Sequence, residues 1–230
     1  MTTNHLGQPV GNDLGAWRAP SFPETSVMEG HTVTLERLDV ERHGTGLWGS
    51  LSEAPEATWT YMSFGPFSGY DRFEEILESL LAYKDWVPYA IVVDGAPMGF
   101  ASYLRINPLD GVIEIGSITF SPSLQRTTPA TESLYLMIRH VFDLGYRRCE
   151  WKCDDLNAPS RSAADRLGFT YEGTFRQATH YKGRNRDTAW YSIIDSEWPA
   201  LDGAFTAWLD PENFDEKGSQ LSTLEEMRNR

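Results

Sequence analysis

Residues 124–132 read LQRTTPATE. Gln125, Arg126, Thr127 and Thr128 supply side-chain hydrogen-bond donors. Pro129, Ala130 and Thr131 follow and open a segment with helical periodicity. A helix N-terminus presents backbone N–H groups that lack intrahelical partners, and it carries a partial positive charge. Anions bind there. Pro129 removes an N–H that would be unpaired anyway. Two readings fit these residues: a phosphate cradle between a strand and a helix, or an ordinary capped helix with an incidental arginine.

A cradle needs a strand leading in and a helix leading out. The run 111–122 (GVIEIGSITFSP) supplies the strand. Residues 130–144 supply the helix, with Ala130, Leu134, Met137, Ile138, Val141 and Phe142 on one face and Gly145 as its stop. Upstream, 31–39 alternates as a strand, 40–53 is a weak helix with three glycines, and 68–85 is an amphipathic helix. Asp94-Gly95 divides two apolar runs as a hairpin turn. Downstream come a strand in RRCEWKCD, a helix over 157–168 capped by Asn157, and two strands around Lys182-Gly183-Arg184-Asn185. The order predicted is β-α-α-β-β-β-α-β-α-β-β, without an internal repeat.

The totals bound the function. The chain has 230 residues with 40% hydrophobic and 13% aromatic content, enough for a core. No run approaches the ~18 apolar residues of a membrane span. The N-terminus lacks a signal-peptide pattern, so a soluble, cytoplasmic protein is expected. The net charge of −13 argues against nucleic acid and favours cationic partners such as amines, or simply solubility. Cys149 and Cys153, four apart on one strand, lie roughly 13 Å apart, too far for a disulfide. With no further ligands at suitable spacing, no metal site is expected. Residues 1–28, rich in Gly, Pro and polar residues, are expected to be an extended arm. Residues 201–230 form an acidic extension, read as a mobile appendage.

The stretch LQRTTPATES resembles the acyl-CoA-binding motif of the GNAT superfamily of N-acyltransferases, Gln/Arg-x-x-Gly-x-Gly/Ala. Gln125 fits its first position and Ala130 its last, while Thr128 replaces the middle glycine. EIGSITFSP looks like the family's central strand, and NAPSRSAADRLGF is similar to its Asn-x-x-Ala/Ser…Gly-Phe segment. The closing strands YEGTFRQATHYKGRNRDTAWYSII resemble the Rim-type branch, which modifies ribosomal-protein N-terminal amines. The likeness covers residues 30 to about 198. It implies a GNAT fold: an α/β protein with a mixed, mostly antiparallel sheet of about seven strands, splayed in the middle and flanked by about four helices. The acyltransferase domain is expected over 29–200.

The resemblance also implies a chemistry. Acetyl-CoA would be the co-substrate, and a primary amine on a small molecule or a protein N-terminus the acceptor. A homodimer is common in the family. Thr119, Phe120, residues 125–131, Asn157 and Ser160 would contact the cofactor. Glu114, in mid-strand, is the first candidate to deprotonate the amine and Glu172 the second, with His180 and Tyr181 as possible relays. The family's usual acid for the departing thiolate, a tyrosine, falls at Ala164 here. Ser160 is the substitute candidate. The alternative is a non-catalytic GNAT-fold module that binds CoA or a partner. The aromatics of 48–70 (Trp48, Trp59, Tyr61, Phe64, Phe67, Tyr70) are read either as a wall of the acceptor site or as packing.

Overall fold

A computed structural model describes residues 2–229. Thr2–Thr3 (β1) and Pro9–Val10 (β2) make a small exposed hairpin. The rest of the arm runs across the domain. Trp17 Nε1 donates to the Gly145 carbonyl at 3.1 Å, and Tyr146 and Tyr89 hydroxyls donate to the carbonyls of Ser21 and Thr25. The arm then adds a strand, Val27–Glu29 (β3), to the edge of the sheet.

The chain continues through Thr34–Arg37 (β4), Val40–Leu51 (α1), a 3-10 turn at Glu56–Trp59, and Tyr70–Ala82 (α2). Three antiparallel strands follow: Val87–Val93 (β5), Ala96–Asn107 (β6) and Val112–Phe120 (β7). Asp94 and Gly95 both have positive φ, 50° and 78°, which a two-residue type I′ turn requires. Then come Thr128–Asp143 (α3), Arg148–Asp154 (β8), Ala158–Leu167 (α4), Thr170–Tyr181 (β9) and Arg184–Ile194 (β10). Lys182 and Gly183 alone form the last hairpin turn, at φ 50° and 71°. Arg184 and Asn185, expected in the turn, are already in the strand.

Among the described residues the main sheet has eight strands in the order β3-β4-β5-β6-β7-β8-β10-β9. Every neighbouring pair is antiparallel except β7 and β8. The eighth strand, beyond the seven expected, is β3 from the arm. The parallel pair holds for only three registers: Val112 with Arg148, Ile113 with Cys149, Glu114 with Glu150. Past these the strands part, and a cleft opens in mid-sheet. A bulge accentuates it. Between Phe100 and Ser102 of β6 lies one residue, whereas between their partners Thr119 and Gly116 lie Ser117 and Ile118. Ser117 takes φ 51° there.

Two apolar layers sandwich the sheet. One face packs Ile113, Ile115, Cys149, Trp151 and Cys153 against α3 residues such as Met137 and Ile138. The other packs Ala90 and Phe100 against Leu47 and Leu51 of α1 and Phe73 and Leu77 of α2. Both cysteines are buried and free. No helix is long and apolar enough to cross a membrane among the described residues.

The acidic tail is packed, contrary to the expectation of a mobile appendage. Trp198–Leu209 (α5) buries Trp198, Phe205 and Trp208, and Leu224–Arg228 (α6) buries Leu224. Asn213 ties the connection down, donating to the carbonyls of Trp208 and Ser222. Acid count misled because the few apolar residues of the tail are spaced to meet one groove beside α3. Truncating Trp208, only 3% exposed, leaves a core cavity. Trp208→Ala should therefore cost about 3 kcal/mol or more of stability. A urea unfolding midpoint equal to wild type would mean that the tail contributes nothing to the core.

Candidate functional site

Charged residues cluster where β7 and β8 separate. Along β8 the side chains alternate: Cys149, Trp151 and Cys153 enter the core, so Glu150 and Lys152 face the opposite side of the sheet. Glu114 of β7 lies on that same face, opposite Glu150 in register. Lys152 Nζ stands 3.0 Å from Glu114 Oε2 and 2.6 Å from Glu150 Oε2. It also sits 3.7 Å from the centroid of the Trp190 ring of β10. Arg105 of β6 approaches Glu114 Oε2 at 3.5 Å, and Arg148 Nε holds Glu150 Oε1 at 2.8 Å.

Two carboxylates in one niche behave differently. Burial pushes the Glu114 carboxyl above its usual range, opposed by Lys152 and Arg105. Burial acts on Glu150 in the same direction, but Lys152 and Arg148 together overcome it and hold that carboxyl low. Glu114 Oε2, although close to a cation, accepts no properly directed hydrogen bond. Ser102 Oγ, Ser117 Oγ and Trp190 Nε1 are also buried without partners. These atoms lie on β6, β7 and β10 around the parting strands. Buried polar groups are normally satisfied, and these four lie beside the strand edges that have parted.

The phosphate-cradle residues assemble at the head of α3. Thr127 caps the helix: its Oγ1 accepts from Ala130 N at 3.3 Å and donates to the Leu124 carbonyl at 2.6 Å. Arg126 adopts φ 63°, turning the chain sharply just before the helix. Successive amides in such a turn form an anion-binding concavity. The N–H groups of Arg126 and Thr128 donate to no backbone carbonyl among the described residues. Thr128 is the first helical residue, so its backbone needs no glycine; the left-handed position is Arg126.

Other predicted cofactor residues serve the loop itself. Gln125 gives its side-chain amide to the Phe120 carbonyl at 3.1 Å, tying the cradle to the end of β7. Thr131 is buried, its hydroxyl held between the Thr127 carbonyl and Arg166 of α4. Thr119 is buried beside the bulge, in register with Phe100. Glu132, 1% exposed, accepts from His31 N, Thr32 N and Thr32 Oγ1, which pins the β3–β4 turn to the base of α3. Across the cleft, Asn157 caps α4 by accepting from Ser160 N at 3.2 Å. Ser160 Oγ accepts from Trp151 Nε1 at 3.1 Å. Ala164 is fully buried in the core, so no side chain replaces the absent tyrosine at that point.

Glu172 is not brought into this group. It sits on the outermost strand, two strands beyond β8 and so about 10 Å from Glu150. Arg148 grips both its oxygens, and Ser192 Oγ donates to one of them. The Arg148 guanidinium holds its carboxyl low, with help from Ser192. Its carboxylate is thus committed to that ion pair. His180 is exposed. Tyr181 donates to Asp154 Oδ2 at 2.7 Å at the far end of β8.

Sequence reasoning missed Glu150 and Lys152. The signal was present in the strict alternation of RRCEWKCD, which places both charges on one face. Only the pairing of β8 with β7 and β10 reveals that this face is buried. The aromatics of 48–70 mostly pack on one another: Trp59 with Phe64 and Phe67 at 6.2 and 5.2 Å, Trp48 with Phe73 at 5.6 Å. The β9–β10 turn reaches this loop. Lys182 Nζ donates to the carbonyls of Trp59 and Phe64 at 2.7 and 3.1 Å, spanning the face above the charged cluster.

The acetyltransferase (GNAT) domain family matches residues 34–170. A GCN5-related N-acetyltransferase from Brucella melitensis is 44% identical, covers 94% of this chain and all of its own, and superposes with a TM-score of 0.91. A probable GNAT-family acetyltransferase from Chromobacterium violaceum is 40% identical over 84% of this chain and 98% of its own, with a TM-score of 0.79. An acetyltransferase from Salmonella typhimurium that modifies the N-terminal serine of ribosomal protein L7/L12 shares the fold at 22% identity, covering 72% and 96%, with a TM-score of 0.63. A comparison with curated proteins gave no match.

The Arg148–Glu172 pair yields a prediction. A carboxyl held low in the folded chain stabilises it above the ordinary carboxylate value, and this stability is lost as pH falls through the lowered value. Glu172 is over a third exposed, so solvent screening limits the effect to about 1 kcal/mol or less. Glu172→Gln should lower the urea midpoint at pH 7, and the gap should narrow as pH falls below the ordinary carboxylate value and vanish below the lowered one. A gap that is constant with pH would remove this ion pair from the stability of the fold.

Proposed function

The chain belongs to the GNAT acetyltransferase family, and from that premise we propose an acetyl-CoA-dependent N-acetyltransferase that acylates a primary amine by direct attack on the thioester. The observation that carries this reading is the coincidence of three features at one cleft: backbone amides turned outward at Arg126 and Thr128, an unpaired β7 edge beyond Glu114, and the buried Glu114 carboxylate beside Lys152.

Each feature has a task. The cradle amides and the Arg126 side chain hold the diphosphate, in the manner of anions at helix N-termini. The β7 edge from Ile115 to Phe120 has lost its β8 partner, so its backbone groups are available to pantetheine amides, as a sheet edge accepts an added strand. Bound acetyl-CoA supplies an activated acetyl thioester. An acceptor entering from the α1–α2 side meets Glu114. A primary alkylamine is mostly protonated near pH 7, and Glu114 takes the proton that frees its lone pair. The amine nitrogen bonds to the acyl carbon, the carbon–sulfur bond breaks, and the second proton shed by the nitrogen ends on the leaving sulfur. Ser160 is assigned to relay that last proton: its hydroxyl accepts from Trp151 and lies beside the Cys153 thiol. The acceptor is a small-molecule amine or a protein N-terminus. The second of these draws support from the shared fold of the ribosomal-protein enzyme.

Two measurements test the reading. Glu114→Gln should lower kcat for amine acetylation at pH 7 by about a hundredfold, the lower range for general-base catalysis, with acetyl-CoA affinity unchanged. Full turnover in this variant would remove Glu114 from the chemistry. Arg126→Gly suits the left-handed backbone, so the fold should be as stable as wild type or more so. CoA affinity should nonetheless fall about tenfold, through loss of one charged hydrogen bond. Calorimetry giving an unchanged Kd would place the diphosphate elsewhere.

A further inference from the structure

We infer that Lys152 is a positioning residue for acyl transfer: a buried counter-ion shared between Glu114 and Glu150 that sets the charge of Glu114. The inference rests on Glu114 being the base.

The side chain of Lys152 is 5% exposed, although lysine is rarely buried at all. Its ammonium touches both carboxylates, at 3.0 and 2.6 Å, and lies over the Trp190 ring. Buried ion clusters stabilise poorly compared with apolar packing of similar volume. Strength alone is therefore a weak reason for this arrangement, and its place at the parting of β7 and β8 offers a better one. Glu114 is surrounded by few charges. Lys152 and Glu150 face it from β8, and Arg105 faces it from β6 with a side chain 58% exposed. Arg148 and, beyond it, Glu172 act on it only through Glu150. Lys152 is thus the buried cation in direct reach, and Glu150 competes for it.

This geometry demands effects of opposite sign from two neighbouring substitutions. Removing the cation with Lys152→Met leaves Glu114 beside an anion in a dry niche, so protonation becomes easier. Removing the competing anion with Glu150→Gln leaves Lys152 to Glu114 alone, so protonation becomes harder. Activity requires the ionised carboxylate, and the rate falls as pH drops through its titration. The acid limb of kcat should move up by about one pH unit or more in Lys152→Met and move down in Glu150→Gln. Lys152→Arg, which keeps the charge, should stay near the wild-type limb.

The experiment records kcat against pH for the three variants with acetyl-CoA and a primary amine. Alongside it, carboxyl carbon NMR titrates Glu114 in the resting protein, with the signal assigned by its absence in Glu114→Gln. Opposite shifts in both readouts support the inference. An unmoved acid limb and an unmoved Glu114 titration in Lys152→Met and Glu150→Gln, with Glu114→Gln inactive, overturn it and leave the base reading standing. Wild-type rates in Glu114→Gln overturn the base reading itself. If Lys152→Met does not fold, the nearly isosteric Glu150→Gln decides alone: a downward shift supports the inference, and no shift or an upward one overturns it.

Discussion

The structure depends on the brevity of one strand pairing. β7 and β8 run parallel for three registers and then separate. Separation inside a sheet leaves backbone donors and acceptors without their usual partners, a costly arrangement unless something else satisfies them. Three features keep it open. The bulge at Ser117 bends β7, the loop 121–127 carries the chain from β7 into α3, and α4 leaves from the end of β8. The cradle amides and the orphaned polar atoms lie along the gap that results. A ligand able to pair with a strand edge at one end and present a diphosphate at the other would complete both sets.

Charge is distributed unevenly around that gap. The chain carries a net −13, yet the cradle head has no acid in its first turn, and the nearby Glu132 is consumed by three donors. On the far face the carboxylates are held by internal cations. The helix α3 and the carboxylate cluster thus lie on opposite faces of one sheet. The hairpin tip at Lys182 is tied to the aromatic loop of 59–67.

Much of this was legible in the sequence because it is local. The turn at Asp94-Gly95, the cap and proline opening α3, and the glycine ending α4 each follow from residues within a few positions. The sheet order could be set out only by family likeness, since pairing joins residues far apart in sequence. The ion pair that holds Glu172 was hidden for the same reason: its partner Arg148 lies 24 residues away. Lys152 gave no signal of its own, because alternation gives a face but not what covers it. The tail's helix was hidden by composition, although Trp198, Phe205 and Trp208 recur at helical spacing.

The central claim is that a CoA thioester occupies the parting of β7 and β8 with its diphosphate on the head of α3. A crystal structure with CoA bound tests it most directly. The account predicts diphosphate oxygens within hydrogen-bonding distance of the amides of Arg126, Thr127 and Thr128, the pantetheine lying along β7 beyond Glu114, and the sulfur on the side of Ser160. Density for CoA on another surface, or a gap filled by the protein's own side chains with CoA excluded, would contradict it.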